Sequence, residues 1–168
     1  MHDLLSISEH DTPALVGLAA DLLQEKGWML ATAESCTGGL IAGACTDLAG
    51  SSAWFERGIV SYSNAAKIEL LGVPEALIVA HGAVSEPVVR AMAEGAIARS
   101  RAQAAIAVTG VAGPTGGSPD KPVGLVWFGW SVGGVLSSER QFIAGDRATI
   151  RAAAVRHALQ TLVRRLAA

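Results

Sequence analysis

The sequence predicts a single α/β domain, a three-layer α/β/α sandwich around a mixed, mostly parallel sheet. Short apolar runs that are typical of buried strands alternate with segments whose apolar residues recur at helical spacing. Two strand-like runs near the C-terminus are separated by Gly133-Gly134, which is typical of a hairpin turn and therefore of an antiparallel pair. The length of 168 residues suits one domain with one core.

The N-terminal half is predicted to contain two helices around the first strand. Residues 1–11 are mixed in character and are predicted to be a loose leader, so the domain is predicted over residues 12–168. Thr12-Pro13 indicates the start of the first helix, because proline is favoured at the first helical position, and Gly27 indicates its end. An apolar strand at 28–33, a polar glycine-containing turn at 34–39 and a helix at 40–48 follow.

The remaining elements continue the alternation. Aromatic and β-branched residues predict a strand over 54–62. Asn64 is expected to cap a short helix, another short helix follows Pro74, and Ser85 is expected to cap a longer one. Asp146 is expected to cap the last helix, which runs to the C-terminus. The other predicted strands lie at 104–108, 123–131 and 135–143.

Composition narrows the class of protein. Charged residues make up only 17% of the chain, less than the usual quarter, so we expect much of it to be buried and a homo-oligomer to form. The formal net charge is −2, whereas proteins that bind nucleic acids are typically basic, so we expect no nucleic-acid partner. Two cysteines make neither a disulfide framework nor a zinc site, and we expect no metal or other cofactor. Without a signal peptide or a membrane-length apolar run, we expect a cytoplasmic protein with no membrane partner.

Three loops follow predicted strands, at 34–39, 62–67 and 109–117. Ligand sites of open α/β sheets lie beyond the carboxyl ends of the strands. We therefore expect these three loops to form one site.

Ser35 in the first loop is a candidate nucleophile. It lies where a strand leads into a helix, so main-chain N–H groups at Thr37, Gly38 or Gly39 are candidates to stabilise an oxyanion. Serine is also a preferred helix cap, and residue chemistry alone favours that alternative, although the two roles are compatible. Cys36 is intrinsically the stronger nucleophile, but we interpret it as a small buried hydrophobe.

The second loop contains Tyr62, the only tyrosine, and Lys67. A nucleophilic serine requires a base, and lysine can serve if burial lowers its pKa from about 10.4 towards about 7–8. Tyr62 could then relay or donate a proton. A solvated lysine beside a core tyrosine is the alternative, and without further context the commoner one. No histidine lies in the three loops, which favours a serine–lysine arrangement over a histidine-based triad.

The third loop is rich in glycine and could surround a phosphate or ribose with main-chain N–H groups. It is neither a Walker A nor a Rossmann motif, so an ordinary flexible loop is the alternative. Its candidate ligand-binding residues are Thr109, Gly110, Gly113 and Gly116. Arg147 is a candidate phosphate clamp, because a guanidinium can bind phosphate through two hydrogen bonds. The alternative is an ordinary arginine in the first turn of a helix. The helix dipole slightly disfavours a cation there, which favours a functional role.

Five motifs occur in a fixed order along the chain. They are AESCTGG at 33–39, YSN-x-x-K at 62–67, LLGV at 70–73, TG-x-AGP-x-GG at 109–117 and GDR at 145–147. In combination they resemble the CinA C-terminal domain family, whose name refers to competence and damage-inducible proteins. The resemblance covers the chain from about residue 13 to its end.

The resemblance implies an enzyme of pyridine-nucleotide salvage that hydrolyses nicotinamide mononucleotide to nicotinic acid mononucleotide and ammonia. It implies a serine nucleophile at Ser35 and functional residues at Tyr62, Lys67 and Arg147. Ala65 stands where many relatives carry glutamate, which removes no catalytic group. Two alternatives stay open: a non-enzymic nucleotide-binding or interaction module, and an amidase with another substrate.

Overall fold

The computed structural model describes residue 7 and residues 9–168. Within these residues, helices and strands alternate as the sequence predicts, with one hairpin near the end. The elements are α1 (Thr12–Lys26), β1 (Leu30–Glu34), α2 (Leu40–Asp47), β2 (Phe55–Val60), α3 (Asn64–Leu71), α4 (Glu75–His81), α5 (Glu86–Ala98), β3 (Ala104–Gly110), β4 (Leu125–Val132), β5 (Val135–Phe142) and α6 (Arg147–Ala167).

The five strands form one mixed sheet in the order β2-β1-β3-β4-β5. β1 pairs in parallel with both β2 and β3, whereas β4 pairs antiparallel with β3 and with β5. All strands except β4 therefore run in the same direction, which confirms the predicted mixed, mostly parallel sheet. The carboxyl ends of β1, β2 and β3 consequently meet at one edge.

Helices cover both faces of the sheet and create two cores. α1, α2 and α6 enclose the larger core, in which Trp54, Phe128 and Trp130 are fully buried. α3, α4 and α5 enclose the second core on the opposite face. Gly129 lets α5 cross β4 closely, because a Cβ there would lie 2.8 Å from the carbonyl oxygen of Val89. The predicted α/β/α sandwich is confirmed.

Helix caps differ in detail from the predictions. α1 begins at Thr12 behind the cap Asp11 and ends before Gly27, whose φ of 64° is left-handed. The predicted cap Asn64 is wrong, because Ser63 precedes α3 and accepts a hydrogen bond from the Ala66 N–H. Serine and asparagine are both favoured as helix caps, so the sequence alone could not decide which of these two neighbouring residues caps α3.

The two other predicted caps, Ser85 and Asp146, both precede helices, but only Asp146 caps its helix through its side chain. Ser85 precedes α5, but its hydroxyl donates to the Gly82 carbonyl instead of accepting from the helix. Asp146 does cap α6 and accepts from the Thr149 N–H. The third predicted loop also begins later than expected, because Thr109 and Gly110 continue β3 in pairing with β4.

The predicted leader lies largely outside the described residues. Ile7, which the structure describes, is buried in the larger core, and the Gln160 side chain donates to its carbonyl. Among the described helices, none is long and apolar enough to cross a membrane.

Candidate active site

A cleft of about 210 Å³ lies at the carboxyl edge of β1, β2 and β3. All three predicted loops contribute to it, so the expected convergence on one site is found. The lining residues are Ser35, Cys36, Tyr62, Lys67, Ala83, Val84, Thr109, Gly110, Ala112 and Arg147.

Ser35 and Lys67 form the centre of the cleft. The Lys67 amine lies 2.9 Å from the Ser35 hydroxyl and donates to the carbonyls of Ser61 (2.8 Å) and Tyr62 (3.1 Å). Only 1% of the Lys67 surface is exposed, so the alternative of a solvated lysine is wrong. Lys67 lies in the first turn of α3, which follows β2 after the short connection at residues 61–63.

The surroundings of Lys67 favour its neutral form. Its three hydrogen-bond partners are uncharged, and no carboxylate among the described residues forms an ion pair with it. Burial lowers the pKa of the Lys67 amine from its ordinary 10.5 to about 8. A neutral amine there can accept the Ser35 proton near physiological pH.

Cys36 is buried beside Ser35 and has the opposite tendency. Burial raises the pKa of its thiol to about 11, with the Glu34 carboxylate contributing in the same direction. The thiolate is the reactive form of cysteine, so this environment makes Cys36 unreactive. The interpretation of Cys36 as a small buried hydrophobe fits its 6% exposure.

Glu34 shapes the turn that carries Ser35, although sequence reasoning did not single it out. Its carboxylate is fully buried and accepts hydrogen bonds from the Thr37 hydroxyl (2.6 Å) and the N–H groups of Ile41 and Ala42 (2.9 Å each). Glu34 thus satisfies the free N–H groups at the start of α2. The available signal was a carboxylate in the polar turn that leads into α2, because negative charge is favoured near the start of a helix.

The alternative in which Ser35 caps α2 is wrong. Gly39, and not Ser35, is the residue that directly precedes α2. The Ser35 hydroxyl accepts no hydrogen bond from the first turn of this helix. Gly38 and Gly39 have φ values of 59° and 102°, which are left-handed conformations that favour glycine. The Ser35 hydroxyl is therefore left to face Lys67.

Not all main-chain N–H groups of this turn are available to a ligand. The Gly38 N–H donates to the Ser35 carbonyl, so its predicted role at an oxyanion is wrong: it closes the turn instead. The N–H groups of Thr37 and Gly39 have no acceptor among the described residues. These two can serve as donors to a bound group.

Arg151 is a second residue that sequence reasoning missed. From α6, its Nε donates to the Cys36 carbonyl (3.1 Å) and its Nη2 donates to the Thr37 carbonyl (3.2 Å). The sequence offered no local signal, because 115 positions separate Arg151 from Cys36.

Tyr62 takes part through its main chain more than through its side chain. Its carbonyl accepts from Lys67, whereas its hydroxyl lies 3.3 Å from Nη2 of Arg147. No hydrogen bond joins the hydroxyl to Ser35 or Lys67, so the predicted proton relay through Tyr62 is not supported. The side chain is 59% exposed at the mouth of the cleft.

Arg147 links two of the loops. Its Nη1 donates to the Gly113 carbonyl (2.8 Å), and its Nη2 lies by the Tyr62 hydroxyl. A second cavity of about 500 Å³ shares Ala112 and Arg147 with the cleft and is otherwise lined by Pro114, Val123 and residues 145–148. A ligand larger than the cleft thus has room beside Arg147.

The third loop contributes unevenly. The Thr109 hydroxyl donates to the Ala83 carbonyl (3.0 Å), which fixes one wall of the cleft. Gly110 lines the cleft, whereas Gly116 is exposed and lines neither cavity. Ala83 and Val84 supply apolar lining that sequence reasoning did not identify. No group of metal-ligating side chains occurs in the described part of the chain.

Fold and site together define a single-domain α/β protein in which a serine hydroxyl meets a buried lysine amine beside free main-chain N–H groups. The chain belongs to the CinA C-terminal domain family, whose model matches residues 13–166. The resemblance noted in the motifs is thereby confirmed.

Similar proteins carry two kinds of name. The chain is 54% identical over 157 residues to "Nicotinamide-nucleotide amidohydrolase PncC" of Enterobacter agglomerans, covering 92% of this chain and 93% of that one. It is 50% identical over 161 residues to the protein of the same name in Escherichia coli K12, covering 95% and 93%. A crystal structure from Klebsiella pneumoniae, described as competence damage-inducible protein A, superposes with a TM-score of 0.91 at 42% identity, covering 94% and 98%.

Proposed function

We propose that this protein hydrolyses the carboxamide of nicotinamide mononucleotide to give nicotinic acid mononucleotide and ammonia. The observation that carries the proposal is the 2.9 Å contact between the Ser35 hydroxyl and the buried Lys67 amine. The names of relatives at 50–54% identity support the choice of substrate.

In the first half of the reaction, neutral Lys67 accepts the Ser35 proton while Oγ attacks the carboxamide carbon. The resulting oxyanion accepts hydrogen bonds from the free N–H groups of Thr37 and Gly39. The Lys67 ammonium then donates its proton to the amide nitrogen, the C–N bond breaks and ammonia leaves. Ser35 is left as an ester of the nicotinic acid mononucleotide.

In the second half, neutral Lys67 accepts a proton from water while the water oxygen attacks the ester carbon. The same N–H groups stabilise the second oxyanion. The bond to Ser35 Oγ breaks, and Lys67 returns the proton to Oγ. One water is consumed, and Ser35 and Lys67 end in their starting states.

Substrate binding divides between the two adjoining cavities. The pyridine ring would pack in the cleft against Ala83, Val84 and Ala112, with the carboxamide at Ser35. The ribose phosphate would extend into the second cavity, where Arg147 and the 110–117 loop would hold it. The ring of the mononucleotide is a flat pyridinium cation, and its faces can pack against the small side chains of the cleft.

Ammonia release from nicotinamide mononucleotide tests the proposal. Ser35→Ala should lose nearly all activity, because the nucleophile is gone, whereas Cys36→Ala should retain most of it. Wild-type rates in Ser35→Ala would refute the assignment, and activity lost only in Cys36→Ala would transfer the role of nucleophile to the thiol. Binding without turnover, unchanged in Lys67→Ala, would instead indicate a non-enzymic module.

A further inference from the structure

The turn at 35–39 is held from both sides by charged side chains that do not face the cleft. Glu34 accepts hydrogen bonds at the α2 side of the turn, and Arg151 donates to two successive carbonyls, those of Cys36 and Thr37. Carbonyls of a tight turn ordinarily bond to water or to the main chain. A guanidinium that binds two in succession fixes the orientation of both peptide planes.

The orientation of these peptides decides where their N–H groups point. In a trans peptide the C=O and the following N–H point in opposite directions. The Cys36 carbonyl points to Arg151 on α6, so the Thr37 N–H points away from α6. Lys67 approaches Ser35 from α3, which packs on the opposite face of the sheet from α6.

The second peptide follows the same rule. The Thr37 carbonyl accepts from Arg151 and from the Leu40 N–H, and the Gly38 N–H accordingly points back to the Ser35 carbonyl. The Gly38 N–H thus closes the turn, and the Thr37 N–H remains a free donor on the side away from Arg151.

We propose that Arg151 is a positioning residue that presets the Thr37 N–H as an oxyanion donor. The inference rests on the proposed amide hydrolysis at Ser35 and adds to it a residue that touches neither the substrate nor the reacting atoms. Its hydrogen bonds also polarise the two peptides, which strengthens the N–H groups as donors. Its effect is exerted on the transition state, where the oxyanion develops, and not on substrate binding.

Kinetics of Arg151→Ala and Arg151→Lys distinguish this role from a general structural one. We expect kcat to fall about 10- to 100-fold in both, with KM within about threefold of wild type, because an oxyanion donor is misplaced. Lysine keeps the charge but cannot bond two carbonyls with a planar fork. The midpoint of the pH profile should stay unchanged, and guanidinium ion should restore part of kcat in Arg151→Ala. Arg164→Ala, an exposed arginine on the same helix, is the matched control and should be unaffected.

A second assay needs no assumption about the substrate. A fluorophosphonate forms a bond from Ser35 Oγ to phosphorus with loss of fluoride, and the phosphoryl oxygen uses the same N–H donors. Its labelling rate should fall in parallel with kcat in both Arg151 variants, provided that thermal denaturation shows folded proteins. Arg151→Lys decides the matter if Arg151→Ala does not fold.

The outcomes separate the two proposals. A wild-type protein that is labelled at Ser35 but releases no ammonia from the mononucleotide overturns the proposed substrate, while the labelling rates still test Arg151. Wild-type kcat in the Arg151 variants, a change in KM alone, or unchanged labelling overturns the role of Arg151. An unlabelled wild-type Ser35 overturns both.

Discussion

At the scale of single residues, the chemistry of this site depends on the burial of one lysine, Lys67. Lys67 is surrounded by a hydroxyl and two carbonyls, and burial lowers its pKa to about 8. The adjacent thiol of Cys36 has its pKa raised to about 11 by burial. Desolvation disfavours the charged form of each group, so burial makes the amine a base and keeps the thiol protonated.

The pH dependence of kcat/KM should report the lowered pKa of Lys67. The base acts only when neutral, so kcat/KM should rise with pH and reach half its plateau near pH 8. Initial rates of ammonia release at subsaturating mononucleotide between pH 6 and pH 10 measure this. A profile that is flat across that range, or that falls with rising pH, would contradict Lys67 as the base.

Lys67→Met should lower kcat by about 100-fold or more, because the base is removed.

At the scale of elements, the β1–turn–α2 unit stands out because a strand residue caps the next helix. Glu34 is the last residue of β1, yet its carboxylate holds the N–H groups of Ile41 and Ala42 at the start of α2. The intervening turn uses two left-handed glycines, Gly38 and Gly39. Strand end, turn and helix start therefore form one rigid piece, on which Ser35 is presented.

Glu34→Gln should destabilise this unit and the whole fold. An amide has one acceptor oxygen, so its NH2 group would face an N–H donor and leave a buried group unpaired. We expect the free energy of unfolding to fall by about 2–3 kcal/mol, together with a loss of kcat as the turn loosens. Urea denaturation measures the first effect. Glu25→Gln, at an exposed position of α1, is the control and should change it by less than about 0.5 kcal/mol.

At the scale of the whole molecule, the last helix completes a site built mostly from the first half of the chain. α6 supplies Arg147, which reaches Gly113 and Tyr62, and Arg151, which holds the Ser35 turn. The helix itself packs on α1 and on the sheet in the larger core. The complete site therefore forms only when α6 packs against the rest of the fold.

Arg147→Ala should weaken binding of the mononucleotide more than it slows chemistry. A charge-assisted hydrogen bond to phosphate would be lost, so KM should rise about 10- to 100-fold with kcat within about threefold of wild type. Nicotinamide riboside, which lacks the phosphate, is the matched substrate and should show a much smaller change. Equal effects on both substrates would show that Arg147 acts by holding Gly113 and Tyr62 instead.

Much of this protein follows from the sequence alone, because local patterns determine local structure. Apolar periodicity, Pro13, Gly27 and Asp146 located the helices to within a few residues, and the hairpin glycines indicated the antiparallel strand. The three loops after strands located the site, since parallel strands expose their carboxyl ends at one edge. The order of the motifs identified the family.

Tertiary structure decided the rest, because the remaining contacts join residues that no local pattern relates. Ser35 and Lys67 are 32 positions apart, and their meeting depends on β1 and β2 being neighbours in the sheet. The hydrogen bonds of Arg151 depend on how α6 packs. The burial that lowers the pKa of Lys67 likewise depends on contacts made in the folded chain. Burial is a property of the assembled fold, so the change of Lys67 from a solvated cation to a base could not be read from its neighbours in sequence.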